Sequence, residues 1–246
     1  MNQSIQTLVC GTFLLVTTFR ATGAEELASR EELYAGKEFS KAFVNPPDDP
    51  ERPNVLLIGD SISIGYTVEV RKRLKGKADV YRIPTNGKFA AYGLDNLDLW
   101  LGGRSWDVIH YNWGLWDICY RNPESTNQGH RDKVSGTLTA TPDQYRQSME
   151  KIVSRFRKTD AKLIWCSTTP VPECEAGRKA GDEIKCNLIA EKIMKKHGIS
   201  INDLHAYALL RLSEIQQKKG DVHFSAQGYS YLAEKVVLEV STTLSE

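Results

Sequence analysis

Neither sign of charge prevails in this chain: Lys and Arg number 32, Asp and Glu 31, among 246 residues. Without a net basic field nothing holds a phosphate backbone, and without an acidic excess there is no solvating tail, so nucleic-acid binding is disfavoured. Long apolar runs are also scarce. The only one covers residues 5–19, and a mean hydropathy of −0.40 excludes a polytopic membrane protein. Cysteine is sparse, five residues in all, and no CxxC pair or His-x3-His spacing occurs, which removes the usual zinc frameworks. Proline and glycine, 9 and 18 residues, are too few for a low-complexity chain. What remains is the composition of one compact domain.

The apolar run holds Leu8, Val9, Phe13, Leu14, Leu15 and Val16, and the small residues Ala21-Thr22-Gly23-Ala24 follow it, just before Glu25-Glu26. This reads as a signal peptide over residues 1–24 cut near Ala24, hence an exported (periplasmic or secreted) protein with no membrane span after cleavage. The segment ahead of the run has no Lys or Arg, so an uncleaved N-terminal anchor is the alternative. Export places the cysteines in an oxidising compartment. Cys10 would leave with the signal, and Cys119, Cys166, Cys174 and Cys186 admit three pairings. Cys174 with Cys186 is favoured, since a short covalent loop there would hold a polar surface excursion over residues 173–185. Four unpaired thiols are the other possibility.

Residues 25–53 form a lead-in, a charged helical piece over 25–40 followed by Asn45-Pro46-Pro47-Asp48-Asp49-Pro50, where the prolines forbid regular structure. From residue 54 to 246, short apolar runs alternate with helical patterns, the signature of βα units on a parallel sheet. Strands are expected at 55–58, 80–83, 108–112, 163–167 and 199–201, and helices near 66–75, 90–101, 141–158, 186–197, 204–217 and 225–240. The helix over 141–158 has the clearest pattern. Thr141-Pro142-Asp143-Gln144 is a capping box with Pro at the first helical position, and Tyr145, Met149, Ile152 and Phe156 form one apolar stripe. The fold class is thus α/β, a three-layer α/β/α sandwich on a five-stranded parallel sheet, flavodoxin-like, with functional residues beyond the carboxyl ends of the strands.

The first strand runs into Gly59-Asp60-Ser61-Ile62-Ser63 before a helix. A serine on a strand-to-helix turn exposes its hydroxyl above the sheet, and its N–H lies at a helix N-terminus, so it can act as nucleophile and oxyanion donor; as a lone motif it equally suits a helix cap. Near the other end, Asp221-Val222-His223-Phe224-Ser225 puts a carboxylate beside an imidazole. A nucleophilic serine needs a base, and an acid fixes that base's tautomer. Ser61 and His223 together, each at the expected edge, favour catalysis over two separate helix caps.

These residues resemble the SGNH or GDSL hydrolases. Gly59-Asp60-Ser61 matches the family's first block, and Asp221 and His223, followed by the Phe-Ser-Ala-Gln-Gly-Tyr stretch at 224–229, match its last. The resemblance covers roughly residues 54–240. It implies Ser61 as nucleophile, His223 as base and Asp221 as acid, with an oxyanion hole from the N–H groups of Ser61 and Gly87 and a side-chain amide. The third block, usually Gly-x-Asn-Asp, would put that amide at 116, where this chain has Trp116. The role passes to Asn112, as in relatives with an Asn-x-Gly-Leu version, the alternative being that Asn112 only ties down its loop. Trp113 and Trp116 then read as pocket wall able to stack on a sugar face or an acyl group, and Thr169, at the exit of the fourth strand, as cleft lining. The usual acid spacing, Asp-x-x-His, falls on Gly220, so Asp221 stands one residue closer to His223. Either it still reaches the ring or a Ser61–His223 dyad operates.

The expectation is an exported serine esterase without metal or cofactor, acting on a small-molecule or glycan ester, most readily an acetyl ester of a carbohydrate. A lipid or short-chain carboxylesterase, an acyltransferase, or a non-catalytic glycan-binding domain on the same fold are the alternatives. Oligomeric state is not legible. His110 reads as a buried strand residue, and His130, His197 and His205 as loop or surface positions.

Overall fold

The computed structural model describes residues 37–246; the expected signal peptide and most of the lead-in lie outside the described residues. The lead-in ends in a short helix, α1 (Lys37–Ser40), and a 3-10 turn (Lys41–Phe43), after which the proline-rich stretch forms only bends and turns. That stretch seals the sheet's edge. Asn45 accepts from the Arg82 N–H at 2.8 Å and donates to the Arg82 carbonyl at 3.1 Å, as a neighbouring strand would.

The central sheet consists of β1 (Asn54–Ile58), β2 (Asp79–Arg82), β3 (Val108–Tyr111), β6 (Lys162–Cys166) and β7 (Ser200–Asn202), all parallel, in the order β2-β1-β3-β6-β7. Between β3 and β6 the chain adds a two-stranded ribbon, β4 (Tyr120–Arg121) and β5 (Thr137–Leu138). The helices are α2 (Ser61–Leu74), α3 (Ala90–Leu101), α4 (Pro142–Phe156), α5 (Asp182–His197), α6 (Leu204–Leu209), α7 (Leu212–Ile215) and α8 (Ala226–Ser245). Successive strand residues point to opposite faces. On β3, His110 meets Tyr66 of α2 on one face and Tyr111 meets Phe156 of α4 on the other, which defines the three layers. Among the described residues no helix is long and apolar enough to cross a membrane.

The capping box of α4 forms on both sides, Thr141 accepting from the Gln144 N–H and Gln144 from the Thr141 N–H, and its apolar stripe is buried. Two helices differ from the pattern. The first begins at Ser61 rather than near 66, because the Asp60 carboxylate accepts the Ile62 N–H at 3.0 Å and caps it, although the following Ile-Ser-Ile-Gly run favours extended chain. The helix expected over 204–217 is two pieces, broken where Arg211 leaves helical geometry at φ −136°. The Cys174–Cys186 disulfide is not formed, and no disulfide joins any of the four described cysteines. Cys186 lies on the buried face of α5 against Tyr145, whereas Cys174 is exposed beside Gly220.

Candidate active site

β1 ends at Ile58, and the chain turns through Gly59 and Asp60 into α2, whose first residue is Ser61. The turn is held from below. Arg82, a buried β2 residue, donates to the carbonyls of Gly59 (2.9 Å) and Asp60 (3.3 Å) and to Ser63 Oγ (2.8 Å). Burial pushes its guanidinium down to about 9, so it keeps its charge at neutral pH. The sequence reading passed over Arg82; its signal is a lone cation in the buried run Val80 to Ile83.

Ser61 Oγ lies 2.9 Å from His223 Nε2, and His223 Nδ1 lies 2.7 Å from Asp221 Oδ1. The same carboxylate oxygen accepts the His223 backbone N–H at 3.0 Å. This explains why the shortened spacing closes. An aspartate readily bonds the backbone two residues on, and here that turn also brings the ring to the carboxylate. Gly220, in the left-handed region at φ +80°, makes the approach to it. Burial alone would raise the Asp221 carboxyl, but the hydrogen bond and charge of His223, with Arg131 adding to them, outweigh it and hold the group at about 2. With Asp221 ionised, the hydrogen-bond network assigns a proton to Nδ1 and leaves Nε2 to accept from the Ser61 hydroxyl.

The other expected residues divide. Gly87 packs against the nucleophile turn, where a Cβ would lie 2.8 Å from the Gly59 carbonyl oxygen. Its N–H is already donated to that oxygen at 2.9 Å, so it is not a free oxyanion donor, and close packing is the reason for the glycine. Asn112 sits beside Gly59, its N–H on the Ile58 carbonyl, and its Nδ2 donates one hydrogen to the Cys166 carbonyl at 2.7 Å. The second hydrogen faces Thr168 Oγ1 only at 3.4 Å. Trp113 is not pocket wall. It is wholly buried, with its indole N–H on the Gly87 carbonyl at 2.9 Å and its ring over Gly93. Trp116 is 4% exposed, and the Arg121 guanidinium lies 4.3 Å over its ring, so that ring face is not open to a sugar. Thr169 lines a narrow cleft with Ile62, Ser63 and Asn112.

Two further residues had no clear sequence signal. Asn86 is enclosed beside Gly87, its Oδ1 accepting from the Lys88 N–H and its Nδ2 without an acceptor among the described residues. Arg131 reaches across from the ribbon loop to Glu175 at 2.8 Å, and its charge acts on Asp221. His110 is buried as expected, its Nε2 3.0 Å from Asn202 Nδ2, and burial pushes it down to about 4. Among the described residues no group of three or more His, Cys, Asp or Glu could hold a metal ion.

No protein-family model and no curated protein matches the sequence. Solved structures match its fold. The acetyl xylan esterase AlAXEase superposes with a TM-score of 0.61 at 19% identity, over 76% of this chain and 99% of its own. The lipase/acylhydrolase from Enterococcus faecalis gives 0.63 at 17% identity, over 77% and 96%. An acetylxylan esterase from Geobacillus stearothermophilus gives 0.59 at 16% identity, over 76% and 94%.

Proposed function

From the premise that this chain has the fold of the SGNH-type hydrolases, we propose that it is a serine esterase in which Ser61 is the nucleophile, His223 the general base and acid, and Asp221 the group that orients and stabilises the imidazolium. The continuous chain of hydrogen bonds from Ser61 through His223 to Asp221 carries this reading. As Ser61 Oγ bonds to the ester carbonyl carbon, its proton passes to His223 Nε2 and the carbonyl π pair moves onto oxygen. The bond to the alcohol then breaks, and His223 returns the proton to the leaving oxygen. Water, deprotonated by the same nitrogen, then bonds to the acyl carbon, and the acid leaves as the bond to Ser61 Oγ breaks and His223 returns the proton to that oxygen. The Ser61 N–H, at the start of α2, and the second hydrogen of the Asn112 amide are donors for the oxyanion.

Two of the similar structures are acetyl xylan esterases, and this supports an acetyl ester of a carbohydrate as substrate; the apolar run over residues 5–19, followed by small residues, supports residues 1–24 as a signal for export. A groove of about 440 Å³ favours a second reading. It runs along Ile64 and Val68, three and seven residues past Ser61 on α2, and reaches Phe224 beside His223. Its apolar walls suit a longer acyl chain, although Glu69 and Gln217 also line it and Ser61 and His223 lie just outside it.

Hydrolysis of p-nitrophenyl acetate, butyrate and octanoate and of acetylated xylo-oligosaccharides, run beside Ser61→Ala and His223→Ala, tests the proposal. Wild type should turn over an ester, with kcat in each variant lower by roughly 10⁴–10⁶-fold. A wild type no faster than its variants on all of these esters would leave the glycan-binding domain as the reading. The ratio of acetate to octanoate rates separates the two substrate classes.

A further inference from the structure

Arg82 is a buried cation whose hydrogen-bond partners are all neutral. It donates to the carbonyls of Gly59 at 2.9 Å and Asp60 at 3.3 Å and to Ser63 Oγ at 2.8 Å, and among the described residues no carboxylate accepts from it. Taking a guanidinium out of water without a counter-ion is costly. A neutral amide would brace the same turn at less cost, so bracing alone does not account for a charge at this position.

The Asp60 carbonyl is where that charge converges. Besides the bond from Arg82 it accepts from Ser63 Oγ at 2.8 Å, and that hydroxyl in turn accepts from Arg82, so the cation reaches the oxygen both directly and through one hydroxyl. The Ile64 N–H adds a third bond at 3.1 Å. This oxygen belongs to the peptide unit whose nitrogen is that of Ser61. In a planar trans peptide the C=O and the N–H point in opposite directions, so holding the carbonyl toward Arg82 aims the Ser61 N–H away from it, out of the turn. A charged donor on the carbonyl oxygen also draws electrons through the amide, which leaves the N–H more positive and a better donor. That N–H stands in the first turn of α2, where N–H groups have no intrahelical acceptor, and the Asp60 cap takes the Ile62 N–H instead.

We propose that Arg82 is a positioning residue for the oxyanion hole: through the Asp60 carbonyl it orients and polarises the Ser61 N–H, so that this donor meets the ester oxygen as the oxygen takes up charge. The inference rests on the reading of Ser61 as nucleophile. Arg82, buried beneath the turn, does not itself touch the ester. Its effect falls on the charged oxygen of the tetrahedral intermediate, and it therefore acts on kcat more than on KM.

Arg82→Met keeps a long side chain and removes the cation. It should lower kcat for p-nitrophenyl acetate by roughly 10–10²-fold and leave KM within about twofold. Arg82→Lys, which carries charge, should recover more of kcat than Arg82→Gln, a neutral donor; Gln level with Lys would mean bracing alone and would overturn the inference. The second measurement needs no turnover. With diethyl p-nitrophenyl phosphate, Ser61 Oγ bonds to phosphorus, p-nitrophenolate leaves with the electron pair of its bond, and the serine proton passes to His223. The phosphoryl oxygen then takes the oxyanion position. In isotope-labelled wild type the Ser61 backbone N–H resonance, assigned through its neighbours Asp60 and Ile62, should move downfield on this reaction, and in Arg82→Met it should move less far. Should Arg82→Met not fold, Ser63→Ala, which removes the hydroxyl between Arg82 and the Asp60 carbonyl, takes its place and should show a smaller change of the same sign. An adduct that leaves the resonance unmoved in wild type, or moves it equally in variant and wild type, overturns the inference and leaves the esterase reading intact. Absence of both adduct and turnover in wild type would fell the esterase reading, and the inference with it.

Discussion

Gly65 leaves the space that the Tyr229 ring fills: a Cβ at position 65 would lie 2.1 Å from the ring's Cε1. Gly65 is one turn past Ser61 on α2, and Tyr229 is in the first turn of α8, just after the loop that carries His223. The contact therefore sets how closely the nucleophile's helix approaches the loop of its base. Gly65→Ala should cost about 1–3 kcal/mol through overpacking, seen by calorimetry as a fall in Tm of roughly 2–4 °C for each kcal/mol. Activity on p-nitrophenyl acetate should fall further than the folded fraction does, because the Ser61–His223 hydrogen bond is stretched. An unchanged Tm would mean that α8 moves aside freely.

The depressed Asp221 carboxyl makes stability depend on acid. Its pKa is about 2 in the folded chain against an ordinary 3.8. A group depressed by folding gives stability that is complete above its unfolded pKa and is lost as the pH falls through the folded value. Wild type should therefore lose stability more steeply than Asp221→Asn between about pH 4 and pH 2, in urea titrations at stepped pH. Parallel curves would refute the coupling. At neutral pH the same variant should lose about 10³–10⁴-fold in kcat, since an amide does not stabilise the imidazolium that forms.

Glu175 ties together the segments around the site. It is wholly buried and accepts from Arg131 at 2.8 Å, from Arg178 at 3.1 Å and from the Gly177 N–H at 2.6 Å, while Arg178 also donates to the Leu115 carbonyl. The ribbon loop and the segment after β6 thus meet on one carboxylate, and Arg178 joins the loop after β3 to it. Removing one member of a buried ionic group leaves uncompensated charge behind. Glu175→Gln should cost about 3–5 kcal/mol in guanidinium unfolding. A loss below about 1 kcal/mol would place this group among the ion pairs that solvent screens.

Much of this arrangement was legible because it is local. β1 and β6 are short apolar runs, and the α4 cap is four adjacent residues, so period and turn chemistry locate them to within a few positions. Ser61 and His223 were legible as paired motifs at opposite ends of the chain. The residues that were missed act across long separations. Arg82 holds the carbonyls of Gly59 and Asp60 from another strand, and Glu175 binds Arg131 through a loop with no periodic pattern. Trp113 was misplaced for a related reason: an aromatic beside a catalytic block can face the cleft or the core, and only the packing of Gly93 beneath its ring decides between them. The disulfide failed because a helix buries Cys186 in the core, and cysteine spacing carries no information about which face a thiol takes.

Asp117 offers a pH effect of opposite sign. Burial pushes its carboxyl up to about 8 and the nearby charge of Asp60 adds to this, against the hydrogen bonds from the Ala90 N–H and its own backbone. Its second oxygen has no partner among the described residues. A carboxyl raised by folding gives stability that is complete below its unfolded pKa, near 3.8, and is lost as the pH climbs to the folded value. Asp117→Asn keeps an acceptor for Ala90 and has no proton to lose. Urea unfolding from pH 4 to pH 9 should therefore show the variant gaining on wild type as the pH rises, with the gap levelling off above about pH 8. A gap that stays constant would mean that Asp117 is already ionised at pH 4 in the folded chain. The Asp60 charge would then sit beside a second anion at the foot of the nucleophile turn, and Ser61 would attack from a site more negative than the one described above.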